Sequence, residues 1–292
     1  MGKKRKIWLA LLCATVIFCN GCDAGAEDGS LLEENKIAQS GIIQNDAVQG
    51  DTEQNTENSA EVEITVAVID TGFSIEAIPK ENILPGKNYC DTQKTTEDTY
   101  GHGTAVASVI LQYAPEAKLV PLVSSSYEDG KISQVDSTVL AQMIYDAVDI
   151  YGCDIINISA GVMQDNAALR QAAAYAASKN VCMIASAGND YEINGEKKYY
   201  PAGYESVIAV GSCDEDRTEI STFSQRGEWV DFYASGENVT VKTLSGNTRT
   251  DEGTSYSAAK ITAAAVLVME EKTDIMPEKL REQLEKIFPE IQ

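Results

Sequence analysis

The 292-residue chain holds a single histidine, His102, set in YGHGTAVASVI between two glycines and ahead of a threonine. Imidazole is the side chain best suited to move a proton near neutral pH, so any histidine acid/base chemistry here falls to this residue. Two other stretches supply partners for it. VAVIDTG ends an apolar run at Asp70, and GTSYSAAKITAAAVLVME opens an apolar helix at Ser255. A serine hydroxyl attacks well only when a base takes its proton, and the base needs a carboxylate to orient it and to stabilise the cation that forms. Asp70, His102 and Ser255 supply orienter, base and nucleophile, in that chain order. The turn Gly253-Thr254 runs straight into the Ser255 helix, so the first-turn amides and the helix dipole face developing negative charge. A base of this kind must be neutral to act, and activity is expected to fall as pH drops through about 6 to 7.

Holding three such residues together is a task for the surrounding elements. Residues 63–70 (EITVAVID), 118–123 (KLVPLV), 154–159 (DIINIS), 181–186 (VCMIAS) and 206–210 (SVIAV) are near-continuous apolar runs, the signature of strands covered on both faces. Between them, residues 102–112, 135–151 and 166–179 repeat apolar side chains at helical spacing, and a further helix is expected over 255–270. This alternation predicts an α/β fold of three layers, a mostly parallel central sheet with helices on both faces. Sites in such sheets form beyond the carboxyl ends of the strands. Asp70, Ser159 and the run Ser186-Ala187-Gly188-Asn189 all obey that rule.

VAVIDTG, GHGTAVAS and GTSYSA, in this order, resemble the aspartate, histidine and serine motifs of the subtilisin family of serine proteases (peptidase family S8). The resemblance runs from Val62 to about Glu271 and implies the subtilisin-like fold and peptide-bond hydrolysis. It also implies roles that spacing does not give. INISAG, with Ser159, Ala160 and Gly161, resembles the edge to which these proteases pair the substrate backbone. IASAGND, with Ser186, Ala187 and Gly188, resembles the segment ending in the asparagine that forms the oxyanion hole, here Asn189 with the Ser255 amide. Tyr200-Pro201 is expected to be a cis peptide as in relatives. Departures are also present: Ala105 replaces a second histidine, Tyr256-Ser257 and Ala259-Lys260 replace the usual Met-Ala and Pro-His, and Ser257 is a competing serine. Tyr199 falls where many relatives have a small residue at the base of the primary specificity pocket. If it points inward, the pocket is shallow and large side chains are rejected, with the unfamiliar run 190–198 shaping it too.

The amino-terminal region reads as a different kind of chain. Lys3-Lys4-Arg5-Lys6 precedes the apolar run 7–18, too short to span a membrane and suited to a secretory signal, so residues 1–22 are expected to direct export. Two cleavage readings stand. Cys22 close behind the apolar run resembles a lipid attachment site, although Cys19 occupies the position that usually carries an aliphatic residue, and Ala24-Gly25-Ala26 fits ordinary signal cleavage. Residues 23–61 are polar and acidic and read as a disordered tether, too short and too polar for the folded prodomain of many relatives. Residues 62–292 form the catalytic domain.

With a net charge of −22 the chain repels nucleic acid and anionic membranes, so its expected partner is a peptide or protein substrate, with membrane contact only through the lipid anchor, and the chain is expected to be a monomer. No cofactor or metal is expected: Asp214-Glu215-Asp216 lacks the alternating spacing of a calcium loop and reads as a solvated turn. Cys90, Cys153, Cys182 and Cys213 allow three pairings if both bridges form, with Cys153 and Cys182 equally suited to be buried thiols. The expected function is an exported, extracytoplasmic serine endopeptidase working through an acyl-enzyme, with maturation of a secreted peptide favoured over broad degradation. The alternative is an inactive peptide-binding protein on the same scaffold. A lipase of the α/β-hydrolase type is disfavoured, because no GxSxG surrounds Ser255 and the triad order differs.

Overall fold

Each residue of the first strand alternates between two buried layers, Val66 and Val68 facing one core and Ala67 and Ile69 the other, which only a strand in the middle of a covered sheet can do. The computed structural model describes residues 63–128, 130–272 and 275–291. The signal segment, Cys22 and the tether 23–61 lie outside the described residues. In chain order the strands are β1 (Thr65–Asp70), β2 (Lys87–Asn88), β3 (Lys118–Val123), a hairpin of β4 (Ser125–Glu128) and β5 (Lys131–Gln134), then β6 (Ile155–Ile158), β7 (Cys182–Ser186), β8 (Val207–Cys213) and β9 (Phe232–Ser235), and a second hairpin of β10 (Val239–Lys242) and β11 (Thr248–Asp251). The helices are α1 (His102–Tyr113), α2 (Ser137–Asp149), α3 (Ala167–Ser178), the single turn α4 (Tyr191–Asn194), α5 (Thr254–Glu271) and α6 (Pro277–Ile287).

Seven strands form one sheet in the order β2-β3-β1-β6-β7-β8-β9, every pairing parallel. This is the three-layer α/β arrangement expected. Helices α1, α5 and α6 pack on the face shared by Val66 and Val68, and α2 and α3 on the face of Ala67 and Ile69. Reversal of strand order at β1 separates β3 from β6 and opens a crevice at the carboxyl end of β1, where Asp70 stands.

Local chemistry fixes where the helices begin. The Asp136 carboxylate accepts from the Thr138 and Val139 amides at 2.8 and 3.0 Å to start α2, and Asn166 Oδ1 accepts from those of Ala168 and Leu169 at 2.9 and 3.1 Å to start α3. Each such cap is worth about 1 kcal/mol. Helix α5 is instead held by its depth: it is buried along most of its length, and three of its polar side chains are tied to the sheet. Ser257 donates to the Ala234 carbonyl at 2.9 Å, Lys260 to Ser235 Oγ at 2.7 Å, and Thr262 to Asn157 Oδ1 at 2.9 Å. The helix that carries Ser255 is therefore fixed in register as well as in position.

Candidate active site

Asp70 is 4% exposed at the end of β1, with its carbonyl accepting from the Ser124 amide at 2.8 Å and its Oδ1 from the Thr71 amide at 2.8 Å. His102 opens α1 directly opposite. Its Nδ1 lies 2.7 Å from Asp70 Oδ1 and 3.0 Å from Oδ2. A carboxylate can only accept, so the proton sits on Nδ1 and Nε2 is left as the free base. The approach of α1 to β1 depends on glycine. A Cβ at Gly103 would lie 2.4 Å from the Gly72 carbonyl oxygen, and the Gly103 amide donates to Thr71 Oγ1 at 2.8 Å. The glycine after the histidine is thus the residue that lets the imidazole reach the carboxylate.

A second carboxylate holds the same helix start. Asp98 is 4% exposed and accepts from the Tyr100 and Gly101 amides at 2.8 and 2.7 Å through one oxygen, and from the Thr104 amide and hydroxyl at 2.9 and 2.7 Å through the other. It caps α1 from three residues before Gly101, whose own φ of 102° only glycine adopts easily. Burial pulls the His102 pKa down, but the Asp70 charge and hydrogen bond, with Asp98 and Asp251 adding to them, hold it above the ordinary imidazole value.

Ser255 occupies the first turn of α5, after Gly253 at φ 150°. Gly253 is fastened to β9's extension by its amide, which donates to the Gly236 carbonyl at 2.8 Å. Tyr256, the next residue, lies with its ring centroid 6.0 Å from that of His102, its hydroxyl donating to Asp251 Oδ2 at 2.7 Å. The structure thus joins Asp70 to His102 and brings the first turn of α5 against the imidazole. Among the described residues the Ser255 hydroxyl makes no hydrogen bond, so the leg between His102 and Ser255 is not closed. Legs of this kind are often long before substrate tightens them. Ser257 is fully buried and spends its hydroxyl on Ala234, away from His102, so it does not compete.

Asn189 reaches the same helix start from the end of β7. Its Oδ1 accepts from the Thr254 amide at 2.9 Å and the Thr254 hydroxyl at 2.8 Å. Two donors on one oxygen fix the amide's orientation, and Nδ2 is the half left to donate, 3.3 Å from where a Gly253 Cβ would stand. Ser186 ends β7, and Gly188 takes φ 114°, its amide donating to Thr254 Oγ1 at 3.2 Å. Ser159, Ala160 and Gly161 follow β6 and are partly exposed. Tyr199 points inward: it is 3% exposed, lies against Gly161 and Gly188, and donates its hydroxyl to Asp190. Tyr200-Pro201 is cis, as expected.

Sequence reasoning missed Asp98 and Thr254. Asp98 carried a signal, an aspartate just ahead of a glycine-led helix start in DTYGHGT, whereas Thr254 acts across a separation that only the fold reveals. The two cysteine bridges allowed by the count do not form: Cys90, Cys153, Cys182 and Cys213 are free thiols. Burial raises the Cys153 and Cys182 thiols to about 12 and Cys213 to about 11, which leaves them inert as nucleophiles. Asp214 accepts from the Thr218 amide and hydroxyl, both at 2.7 Å, closing its own turn. Among the described residues no group of three or more His, Cys, Asp or Glu gathers around a common point.

Comparison with known proteins adds a sequence-wide match. The family model described as the Subtilase family matches residues 62–286. Subtilisin Savinase of Lederbergia lenta is 34% identical over 216 residues, covering 70% of this chain and 76% of its own. Minor extracellular protease Epr of Bacillus subtilis strain 168 is 30% identical over 240 residues, covering 76% of this chain, which spans only 34% of that longer relative. Among solved structures, a cold adapted subtilisin-like serine proteinase superposes with a TM-score of 0.65 over 83% of this chain and 88% of its own at 24% identity, a likeness of fold.

Proposed function

The chain belongs to the Subtilase family, and from that membership and the site's geometry we propose that it is a serine endopeptidase working through Asp70, His102 and Ser255. The observation that carries the proposal is the paired contact of His102 Nδ1 with both Asp70 oxygens, at 2.7 and 3.0 Å, beside the first turn of α5. His102 Nε2 takes the proton of Ser255 Oγ as that oxygen attacks the scissile carbonyl carbon. The oxyanion that forms accepts from Asn189 Nδ2 and the Ser255 amide, and Asp70 stabilises the imidazolium. His102 then returns the proton to the departing amine, leaving an acyl-enzyme. Water, deprotonated by the same Nε2, completes hydrolysis by the reverse path.

The substrate lies extended along Ser159, Ala160 and Gly161, adding a strand beyond the end of β6. Export through residues 1–22, with a lipid at Cys22 or a free amino terminus, is supported by the sequence and by the extracellular protease among the relatives. Within that setting, maturation of a secreted peptide is favoured over broad degradation. Fluorophosphonate labelling of the mature chain tests the mechanism: covalent addition at Ser255, lost in Ser255→Ala, is the expected result. The second reading, a peptide-binding protein on the same scaffold, predicts no labelling.

A further inference from the structure

We propose that Tyr199 is a fixed plug in the primary specificity pocket, so that this chain accepts only small residues, glycine, alanine or serine, on the acyl side of the bond it cleaves. The inference rests on the protease reading above and adds its substrate class. A carbonyl placed between Ser255 Oγ and Asn189 Nδ2, with the preceding chain along Ser159, Ala160 and Gly161, directs the neighbouring side chain into the gap between Gly161 and Gly188. Tyr199 already fills that gap.

The fit is tight against Gly188 and in ordinary contact against Gly161. A Cβ added to Gly188 would lie 3.1 Å from Tyr199 Cδ2 and 3.3 Å from Cε2, and one added to Gly161 would lie 3.4 Å from Tyr199 Cβ and 3.9 Å from Cδ1. Bare glycine backbone therefore meets opposite edges of one ring, which is 3% exposed. Its far end is anchored as well. The phenol donates to Asp190 Oδ2, while Asp190 Oδ1 accepts from Gln225 Nε2 at 2.8 Å. Gln225 is fully buried, its Nε2 also donating to the Gly195 carbonyl at 3.1 Å and its Oε1 accepting from the Lys197 amide at 2.8 Å. For a large side chain to enter, the ring must leave its place between the two glycines and break the hydroxyl bond to Asp190, and the loop 190–198 must move with it. A methyl group needs no such displacement.

The test is kcat/KM on matched peptides that differ only in alanine or phenylalanine before the scissile bond, for the parent chain, Tyr199→Ala and Tyr199→Phe, with fluorophosphonate labelling run alongside. The parent is expected to favour alanine by at least about tenfold, the discrimination that one excluded methylene produces. Tyr199→Ala is expected to raise the phenylalanine-to-alanine ratio by at least about tenfold, and Tyr199→Phe, which keeps the ring, to leave that ratio low. Should Tyr199→Ala not fold, the parent ratio and Tyr199→Phe decide. Comparable cleavage of both peptides by the parent overturns the plug and leaves the protease standing. Labelling at Ser255 without cleavage of the alanine peptide also overturns the plug, and absence of both labelling and cleavage overturns the protease and the plug together.

Discussion

Helices α2 and α3 cover one face of the sheet with Leu140, Met143, Ile144, Leu169 and a series of alanines, keeping their polar groups at the caps or, as with Asp146, against the Tyr89 hydroxyl. Helix α5 on the other face is buried more deeply, yet it carries Ser255, Ser257, Lys260 and Thr262 inward. The difference is that the first face specifies only its own packing, whereas the second spends hydrogen bonds on fixing one helix against β6 and β9, and so fixes the helix that carries Ser255. Buried polar groups that are fully partnered give a core its uniqueness more than its stability, and here they set a reacting geometry.

Substitutions at the start of α5 should break that contrast most sharply. Ser255→Ala is expected to lower kcat by about six decades, a magnitude established on a subtilisin itself. Two residues on, Ser257→Ala should leave kcat within a few-fold while costing about 1 kcal/mol in denaturant unfolding, because its hydroxyl serves only Ala234. Equal losses in both variants would remove the distinction between them. Asn189→Ala is next: loss of its Nδ2 donor should cost about 2.7 to 4 kcal/mol of transition-state stabilisation, again a range known from subtilisin, seen in kcat rather than in KM.

The other face should respond in stability alone. Ile144 is fully buried on the inner face of α2, and Ile144→Ala is expected to destabilise the fold by about 2–5 kcal/mol in urea titration. With the chain still folded, kcat/KM should stay within a few-fold of the parent. A loss of turnover like that of Asn189→Ala would show that the two faces are coupled.

The two faces were also legible to different degrees. Strands buried on both sides announce themselves as apolar runs, so β1, β3, β6 and β7 stand within two residues of where the sequence puts them. Strands β4, β5 and β11 are polar and largely exposed, with no periodicity to mark them, and α6 went unread although Pro277 at its first turn and the pair Leu280 and Leu284 are start and face signals. At the site, Asp70 and His102 could be named because residue type and chain order carry the chemistry. Asp98 acts on the His102 helix through nearby backbone amides, whereas Thr254 holds Asn189, and no local pattern encodes a partner 65 residues away such as that between Asn189 and Thr254. Tyr199 was placed at the pocket by resemblance, but its inward direction follows from glycines at 161 and 188 that leave it room.

His102 supplies the subtlest test, because its two roles have opposite pH dependence. Its pKa is raised in the folded chain: burial opposes the charged form, and the Asp70 carboxylate, with Asp98 and Asp251 beyond it, more than restores it. A raised value means that the imidazolium is bound more tightly in the native state than in the unfolded one. The stability it contributes is therefore complete below the unfolded value of about 6.5 and is lost as pH rises through the folded value. Catalysis requires the opposite protonation state, so the acid limb of kcat/KM should lie above about 6.5, with turnover rising as this share of stability falls. Asp251→Asn removes one distant charge and leaves Asp70 in place, and it should move the acid limb to lower pH without abolishing turnover. A limb that stayed where it was in that variant would show that Asp251 does not act on the imidazole, and that His102 is tuned by the carboxylates nearer to it.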